Sequence, residues 1–115
     1  IQLNYQKEKL EIVLINDHSS DQTGTIINKF AKKYAFIRAV HTKPPFSGKG
    51  KSSALNFGLK HSTGEFIAVY DADNSPEPDA IRNLVFGLMA DGKAGAIVGK
   101  FRVKNAKKKF THSIN

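Results

Sequence analysis

The sequence contains no cysteine, no tryptophan and a single methionine. The absence of cysteine excludes a disulfide scaffold, a thiolate zinc site and a cysteine nucleophile. No apolar run approaches the roughly 20 residues that a helix needs to cross a bilayer. Residues 1–5 also lack the basic and apolar regions of a secretory signal peptide. Because the first residue is Ile1 and not methionine, we expect the chain to be a piece of a longer protein.

Acidic residues are scarce relative to basic ones, since 10 Asp and Glu face 18 Lys and Arg for a formal net charge of +8. This balance favours an anionic partner such as a nucleotide, a nucleic acid or an acidic membrane face. Several of the basic residues crowd positions 102–109, so a solvated basic tail without a partner explains the excess equally well. The 115 residues and the 40% hydrophobic content suit one small globular domain.

Short apolar runs alternate with helical patterns along the chain. The runs that we predict as strands are residues 10–15, 36–41, 65–70 and 94–98. The segments that we predict as helices are residues 21–34, capped by Ser20 or Asp21, residues 51–61, and a third helix that starts within residues 75–79. This order predicts an α/β fold with right-handed crossovers and a mostly parallel sheet.

Acidic side chains directly follow two of the predicted strands, with Asp17 after the first and Asp71 and Asp73 after the third. Ligands of open α/β sheets bind beyond the carboxyl ends of the strands, so these three carboxylates are predicted to line one cleft. Two carboxylates separated by one residue in an extended backbone can share a Mg²⁺ or Mn²⁺ ion with phosphate oxygens. The alternative is that residues 71–74 only turn the chain.

Residues 48–53, with the sequence GKGKSS, resemble a phosphate-binding loop at the start of a helix. The strict Walker pattern requires glycine at position 45, where this chain has Pro45, so we keep only a lysine and a helix start near a phosphate. The four histidines show no metal-ligand spacing, which favours surface or structural roles for all of them. They are His18, His41, His61 and His112.

Three motifs in order resemble those of the family 2 glycosyltransferases, and together they span most of the chain. They are IVLINDHSSDQT at residues 12–23, GKSSALN at residues 50–56 and DAD at residues 71–73, which a proline-containing helix follows. The resemblance implies a GT-A fold, in which a Rossmann-like half binds the nucleotide sugar and a second half binds the acceptor.

The resemblance also implies roles for individual residues. Asp17 matches the acid that binds the nucleotide base, usually uracil, and Lys51 matches a lysine near the diphosphate. Asp71 matches the acid that faces the ribose and the metal, and Asp73 matches the acid that ligates the cation. The implied reaction is an inverting transfer from a nucleotide-diphosphate sugar to a saccharide or lipid acceptor, with Mg²⁺ or Mn²⁺ stabilising the leaving group.

The chain also departs from the family pattern. The family opens with a strand ending in a P-x-Y-N-E-like motif, and its catalytic base lies in an E-D motif that does not occur before Asn115. The resemblance therefore implies a partial donor-binding domain over residues 1–103 that lacks its first strand, and a basic segment over residues 104–115 that leads to an absent acceptor half. We expect such a chain to be inactive alone. Its ends resemble the membrane-attached, polysaccharide-making branch, which implies a parent protein on the cytoplasmic side of the inner membrane.

Two other functions are compatible with parts of the pattern. A nucleotide-phosphate-binding regulatory module would use the same sheet edge without transfer chemistry, and the absent base leaves this alternative open. A nucleic-acid-binding domain would use the basic tail. Nucleic-acid binding is disfavoured because the Phe and Tyr residues occupy core-like positions instead of alternating with Lys or Arg on a sheet face.

Overall fold

The computed structural model of the protein describes residues 2–100. In this part of the chain the elements are a short 3-10 helix (Lys7–Lys9), β1 (Ile12–Asn16), α1 (Thr23–Lys33), β2 (Ile37–His41), α2 (Lys51–Lys60) and α3 (Ala80–Ala90). The described residues form two compact units, one of residues 4–74 and one of residues 2–3 with 75–100. No helix among residues 2–100 is long and apolar enough to cross a membrane.

The first two predicted strands form a parallel two-stranded sheet. Ile12 of β1 lies beside Ile37 of β2, and the register continues without a bulge to Asn16 beside His41. Hydrogen bonds extend the pairing at both ends, from the N–H of Ile12 to the carbonyl of Phe36 (2.8 Å) and from the N–H of Thr42 to the carbonyl of Asn16 (3.0 Å). The parallel pair with its flanking helices confirms the α/β, Rossmann-like fold class.

The core of this unit lies where the helices cover the sheet. Ile37, Val40 and Phe57 are its buried hydrophobic side chains. Helix α2 approaches β1 so closely that a Cβ atom on Gly58 would lie 2.3 Å from Cδ1 of Ile15. The absence of a side chain at position 58 therefore permits the contact between α2 and β1.

A polar clamp joins the start of β1 to β2 and to the end of α2. Oε2 of Glu11 accepts hydrogen bonds from the N–H (2.8 Å) and the hydroxyl (3.1 Å) of Thr63. Oε1 of Glu11 lies 3.3 Å from the Arg38 guanidinium, which also donates to the carbonyl of His61 (2.8 Å). The backbone N–H of Thr63 is the largest of the effects that hold the pKa of Glu11 below its usual value.

The predictions of a third strand at residues 65–70 and of a fourth strand at residues 94–98 are wrong. Neither segment forms a strand, and residues 63–73 are exposed throughout, with Ile67 at 53% and Val69 at 57%. Among the described residues β1 pairs only with β2. An extended segment becomes a strand only when a neighbour satisfies its backbone N–H and C=O groups, and no described strand lies beside these segments.

The third predicted helix is present but begins later than expected. It starts at Ala80 with Asp79 as its N-cap, and not within residues 75–79. Pro76 and Pro78 explain the delay, because each disfavours a helical conformation at the residue before it. In the same unit, a Cβ atom on Gly87 of α3 would lie 2.7 Å from Cδ1 of Ile97, so residues near 97 pack against α3 without forming a strand. The basic segment predicted at 104–115 lies outside the described residues.

Candidate donor-binding site

Asp17 lies directly after β1 and joins that strand to the loop that follows β2. Its Oδ1 accepts hydrogen bonds from the hydroxyl of Thr42 (2.7 Å) and from the backbone N–H of Gly48 (3.0 Å). The Gly48 N–H, and next the Thr42 hydroxyl, hold the pKa of the Asp17 carboxyl below its usual value. The carboxylate is therefore ionised at neutral pH and fixed in direction by two donors from one loop.

The loop between β2 and α2 is shaped so that Gly48 can reach Asp17. A turn closes it where the N–H of Phe46 donates to the carbonyl of Lys43 (2.8 Å). Gly48 and Gly50 have φ angles of 68° and 87°, a region that residues with a side chain rarely adopt. These two glycines let the backbone present the Gly48 N–H to the carboxylate and then enter α2 at Lys51.

Phe46 attaches the same loop to α2. Its ring lies 5.6 Å from the ring of Phe57, and the ammonium of Lys60 lies 4.6 Å from its centroid. Its carbonyl accepts a hydrogen bond from the hydroxyl of Ser53 (2.9 Å). The loop is therefore held by Asp17 on one side and by α2 on the other.

Lys51, the first residue of α2, forms an ion pair with Asp71 through its ammonium and Oδ1 of the carboxylate. Both side chains are more than half exposed, at 66% and 52%. Exposed pairs of this kind contribute about 0–1 kcal/mol, since water and salt screen them. The contact therefore brings two predicted site residues together but holds them weakly.

Asp73 is exposed and lies in a turn that the N–H of Asn74 closes by donating to the carbonyl of Asp71 (2.9 Å). The extended spacing that we expected for the two carboxylates is therefore not present at residues 71–74. No cluster of three or more His, Asp or Glu side chains within residues 2–100 could hold a metal ion by itself. Carboxylate oxygens are ligands that a hard cation takes together with water and phosphate oxygens, so Asp71 and Asp73 remain candidates for such a site.

The structure thus gathers three of the four predicted residues around one loop and the helix start that follows it. Asp17 contacts the loop at Gly48, and Lys51, at the end of that loop, contacts Asp71. Sequence reasoning missed Thr42, although a signal was present. Thr42 follows β2 as Asp17 follows β1, and the register places the last residues of these strands side by side.

Residues 2–115 match the sequence model of the family described as glycosyl transferase family 2. Because the match covers nearly the whole chain, the protein belongs to the family 2 glycosyltransferases. No solved structure matches the chain.

Three relatives illustrate the range of proteins in which this segment occurs. A probable glycosyltransferase, YdaM of Bacillus subtilis (strain 168), is 61% identical over 108 residues, which cover 94% of this chain and 26% of that protein. A beta-monoglucosyldiacylglycerol synthase of Trichormus variabilis is 36% identical over 108 residues, which cover 94% of this chain and 23% of that protein. A poly-beta-1,6-N-acetyl-D-glucosamine synthase of Staphylococcus aureus is 35% identical over 98 residues, which cover 85% of this chain and 23% of that protein. The chain therefore spans about a quarter of the length of these relatives.

Proposed function

We propose that this chain binds a nucleotide-diphosphate sugar, specifically a UDP-sugar, as the donor-binding part of an inverting, metal-dependent glycosyltransferase. The observation that carries the proposal is the arrangement of Asp17, Lys51 and Asp71 around the loop between β2 and α2. Such a donor needs a carboxylate for the base, a lysine for the diphosphate and a second carboxylate for the cation that the diphosphate binds.

Asp17 is suited to recognise the base. Both hydrogen bonds to its carboxylate from the described residues end on Oδ1, which leaves Oδ2 as an acceptor for a base N–H. A hydrogen bond to an ionised acceptor is stronger than one between neutral groups. Because Thr42 and Gly48 already fix the carboxylate, little conformational entropy is lost when the base binds.

Lys51, Asp71 and Asp73 are suited to the diphosphate end of the donor. Asp71 and Asp73 would hold Mg²⁺ or Mn²⁺, and the bound cation would neutralise charge on the diphosphate leaving group. Lys51 would leave its ion pair with Asp71 and direct its ammonium to a phosphate oxygen. Because the exposed ion pair is weak, breaking it costs little free energy.

The names of the relatives support a saccharide or lipid acceptor. One relative is named as a glucosyldiacylglycerol synthase and another as an N-acetylglucosamine polymer synthase. We propose that the acceptor and the catalytic base are bound by parts of the protein outside this chain, and that the protein works on the cytoplasmic side of the membrane.

Calorimetric titration of the chain with UDP, with and without Mn²⁺, tests the proposal. We expect UDP to bind more tightly with Mn²⁺, and we expect Lys51→Met to weaken UDP binding while Lys49→Met does not. Lys49 is a matched control, since it is an exposed lysine two residues earlier, in the loop that precedes α2. Absence of UDP binding in both conditions, or tighter binding of an oligonucleotide than of UDP, would contradict the proposal.

A further inference from the structure

A chain of hydrogen bonds behind Asp17 joins β1, β2 and α1. Asn16, at the end of β1, is buried, and its Oδ1 accepts the backbone N–H of Ser19 at 3.1 Å. The Nδ2 atom of Asn16 lies 3.1 Å from Nδ1 of His41, and Nε2 of His41 lies 3.0 Å from Oδ1 of Asn28 on α1.

The direction of each hydrogen bond follows from the first one. A backbone N–H can only donate, so the atom of Asn16 that faces Ser19 is the amide oxygen and the atom that faces His41 is the NH₂ group. The NH₂ group can only donate, so Nδ1 of His41 accepts. The ring proton of His41 is therefore on Nε2, from which it is donated to Oδ1 of Asn28.

This series of hydrogen bonds adjoins the turn that carries Asp17. Asn16 precedes Asp17 and bonds Ser19 on its other side, so its side chain spans the turn. His18 within the turn has a φ of 58°, in the left-handed region that few non-glycine residues adopt. The first turn of α1 closes the back of the cluster, because a Cβ atom on Gly24 would lie 3.1 Å from Nδ2 of Asn16 and 3.4 Å from Cε1 of His41.

We propose that His41, with its proton on Nε2, is a positioning residue for nucleotide recognition: it fixes Asn16 and thereby the Asp17 turn. This inference rests on the proposed function of Asp17. A side chain at position 41 must accept from Asn16 on one side and donate to Asn28 on the other. The amide of glutamine can also do both, whereas leucine can do neither.

The binding test compares His41→Leu with His41→Gln. We expect His41→Leu to raise the Kd for UDP about tenfold, as for the loss of the one hydrogen bond between Asp17 and the base, and to leave the Kd for inorganic diphosphate within about twofold. His41→Gln should remain within about threefold of the wild-type chain for both ligands. Val40→Ala is the control for general destabilisation, because it truncates a buried side chain of the same strand and should leave both Kd values unchanged.

A second measurement locates the ring proton of His41 directly. The ¹⁵N NMR spectrum of the full chain with labelled histidine should show a protonated Nε2 and an unprotonated Nδ1 for His41, and Asn28→Leu should alter the Nε2 signal. A proton on Nδ1 would overturn the inference, as would equal UDP affinities for the wild-type and His41→Leu chains. Failure of the wild-type chain to bind UDP would instead overturn the proposed function and, with it, the role of His41 in that site.

Discussion

The two apolar runs at residues 10–15 and 65–70 resemble each other in sequence but differ in structure. Each is a short hydrophobic run that ends in an acidic turn. The first becomes β1, paired with β2 and covered by α2, whereas the second is exposed and unpaired among the described residues. An apolar run therefore encodes only a tendency to be extended. A neighbouring strand decides whether that tendency becomes a buried strand.

The same difference extends to the acids that follow the two runs. Asp17 is fixed by two hydrogen bonds from an anchored loop, whereas Asp71 is held by one exposed ion pair and Asp73 lies in an exposed turn. We infer that the end of the site that would bind the base is formed in advance. We infer that the end that would bind diphosphate and metal would be organised only when these ligands bind.

The largest effect is expected for Asp17→Ala. Loss of a hydrogen bond to a charged group amounts to roughly 1.5–3 kcal/mol, so UDP affinity should fall about tenfold to a hundredfold while diphosphate affinity changes much less. Calorimetric titration of both ligands measures the difference. Glu8→Gln is the control, since Glu8 is an exposed acid outside the site. Equal weakening of UDP and diphosphate would assign Asp17 to the phosphates or to the fold.

Gly58→Val should disturb the packing of the apolar run at residues 10–15 and not that of the exposed run at residues 65–70. The new Cβ atom would meet Ile15 at 2.3 Å, so α2 must move away from β1. Overpacking of this kind costs about 1–3 kcal/mol of unfolding free energy, measurable by urea denaturation. The matched variant Gly92→Val, where a Cβ atom meets nothing within 4 Å, should change stability by less than about 0.5 kcal/mol. An equal loss of unfolding free energy in both variants would show that the close contact between α2 and β1 is not the cause of the loss.

Asp73→Asn should leave the fold intact and reduce the gain in UDP affinity that we expect from Mn²⁺ to about twofold or less, since the variant would remove one charged group that we propose as a ligand of the cation. Titration of UDP with and without Mn²⁺ measures the gain, and thermal unfolding checks the fold. Glu65→Gln, which neutralises another exposed acid in the same stretch, should keep the full gain. An unchanged gain in Asp73→Asn would contradict a metal-binding role for Asp73.

The smallest effect is a pH dependence of stability that comes from Glu11. Its pKa is lower in the folded protein than the usual 4.5, chiefly because of the Thr63 N–H, so its ionised form stabilises the fold. This contribution is complete above pH 4.5 and is lost as the pH falls through the lowered folded value. Urea denaturation between pH 6 and pH 3 should therefore show a shallower decline for Glu11→Gln than for the wild-type chain. Parallel curves would show that the clamp does not depend on the charge of Glu11.

Much of the fold could be predicted from the sequence because its signals are local. The run before Asn16 indicated β1, the apolar spacing after Asp21 indicated α1, and Gly50 before Lys51 indicated the start of α2. The predicted cap was wrong, because Gln22 and not Ser20 or Asp21 is the N-cap of α1, although the carboxylate of Asp21 accepts a hydrogen bond from the N–H of Thr23 at 2.9 Å. The order of these elements was sufficient to predict an α/β fold with a parallel sheet.

The candidate site was predictable only as a list of residue types. The position of Asp17 after a strand and of Lys51 at a helix start followed from the sequence, as did the acids at residues 71 and 73. The partners of these residues could not be predicted from the sequence. Thr42 and Gly48 contact Asp17, and His41 contacts Asn16, although all three are distant in sequence from the residue that they contact. Strand register and loop shape bring them together.

Local sequence accounts for which segments tend to extend, which segments become helices and which charges follow the apolar runs, since these depend on neighbouring residues. Tertiary structure decided which extended run became a strand, because the hydrogen bonds of a strand are made to a distant part of the chain. It also decided which acid is fixed and which is exposed. The difference between Asp17 and Asp73 is therefore one of surroundings, although both are aspartates that follow an apolar run.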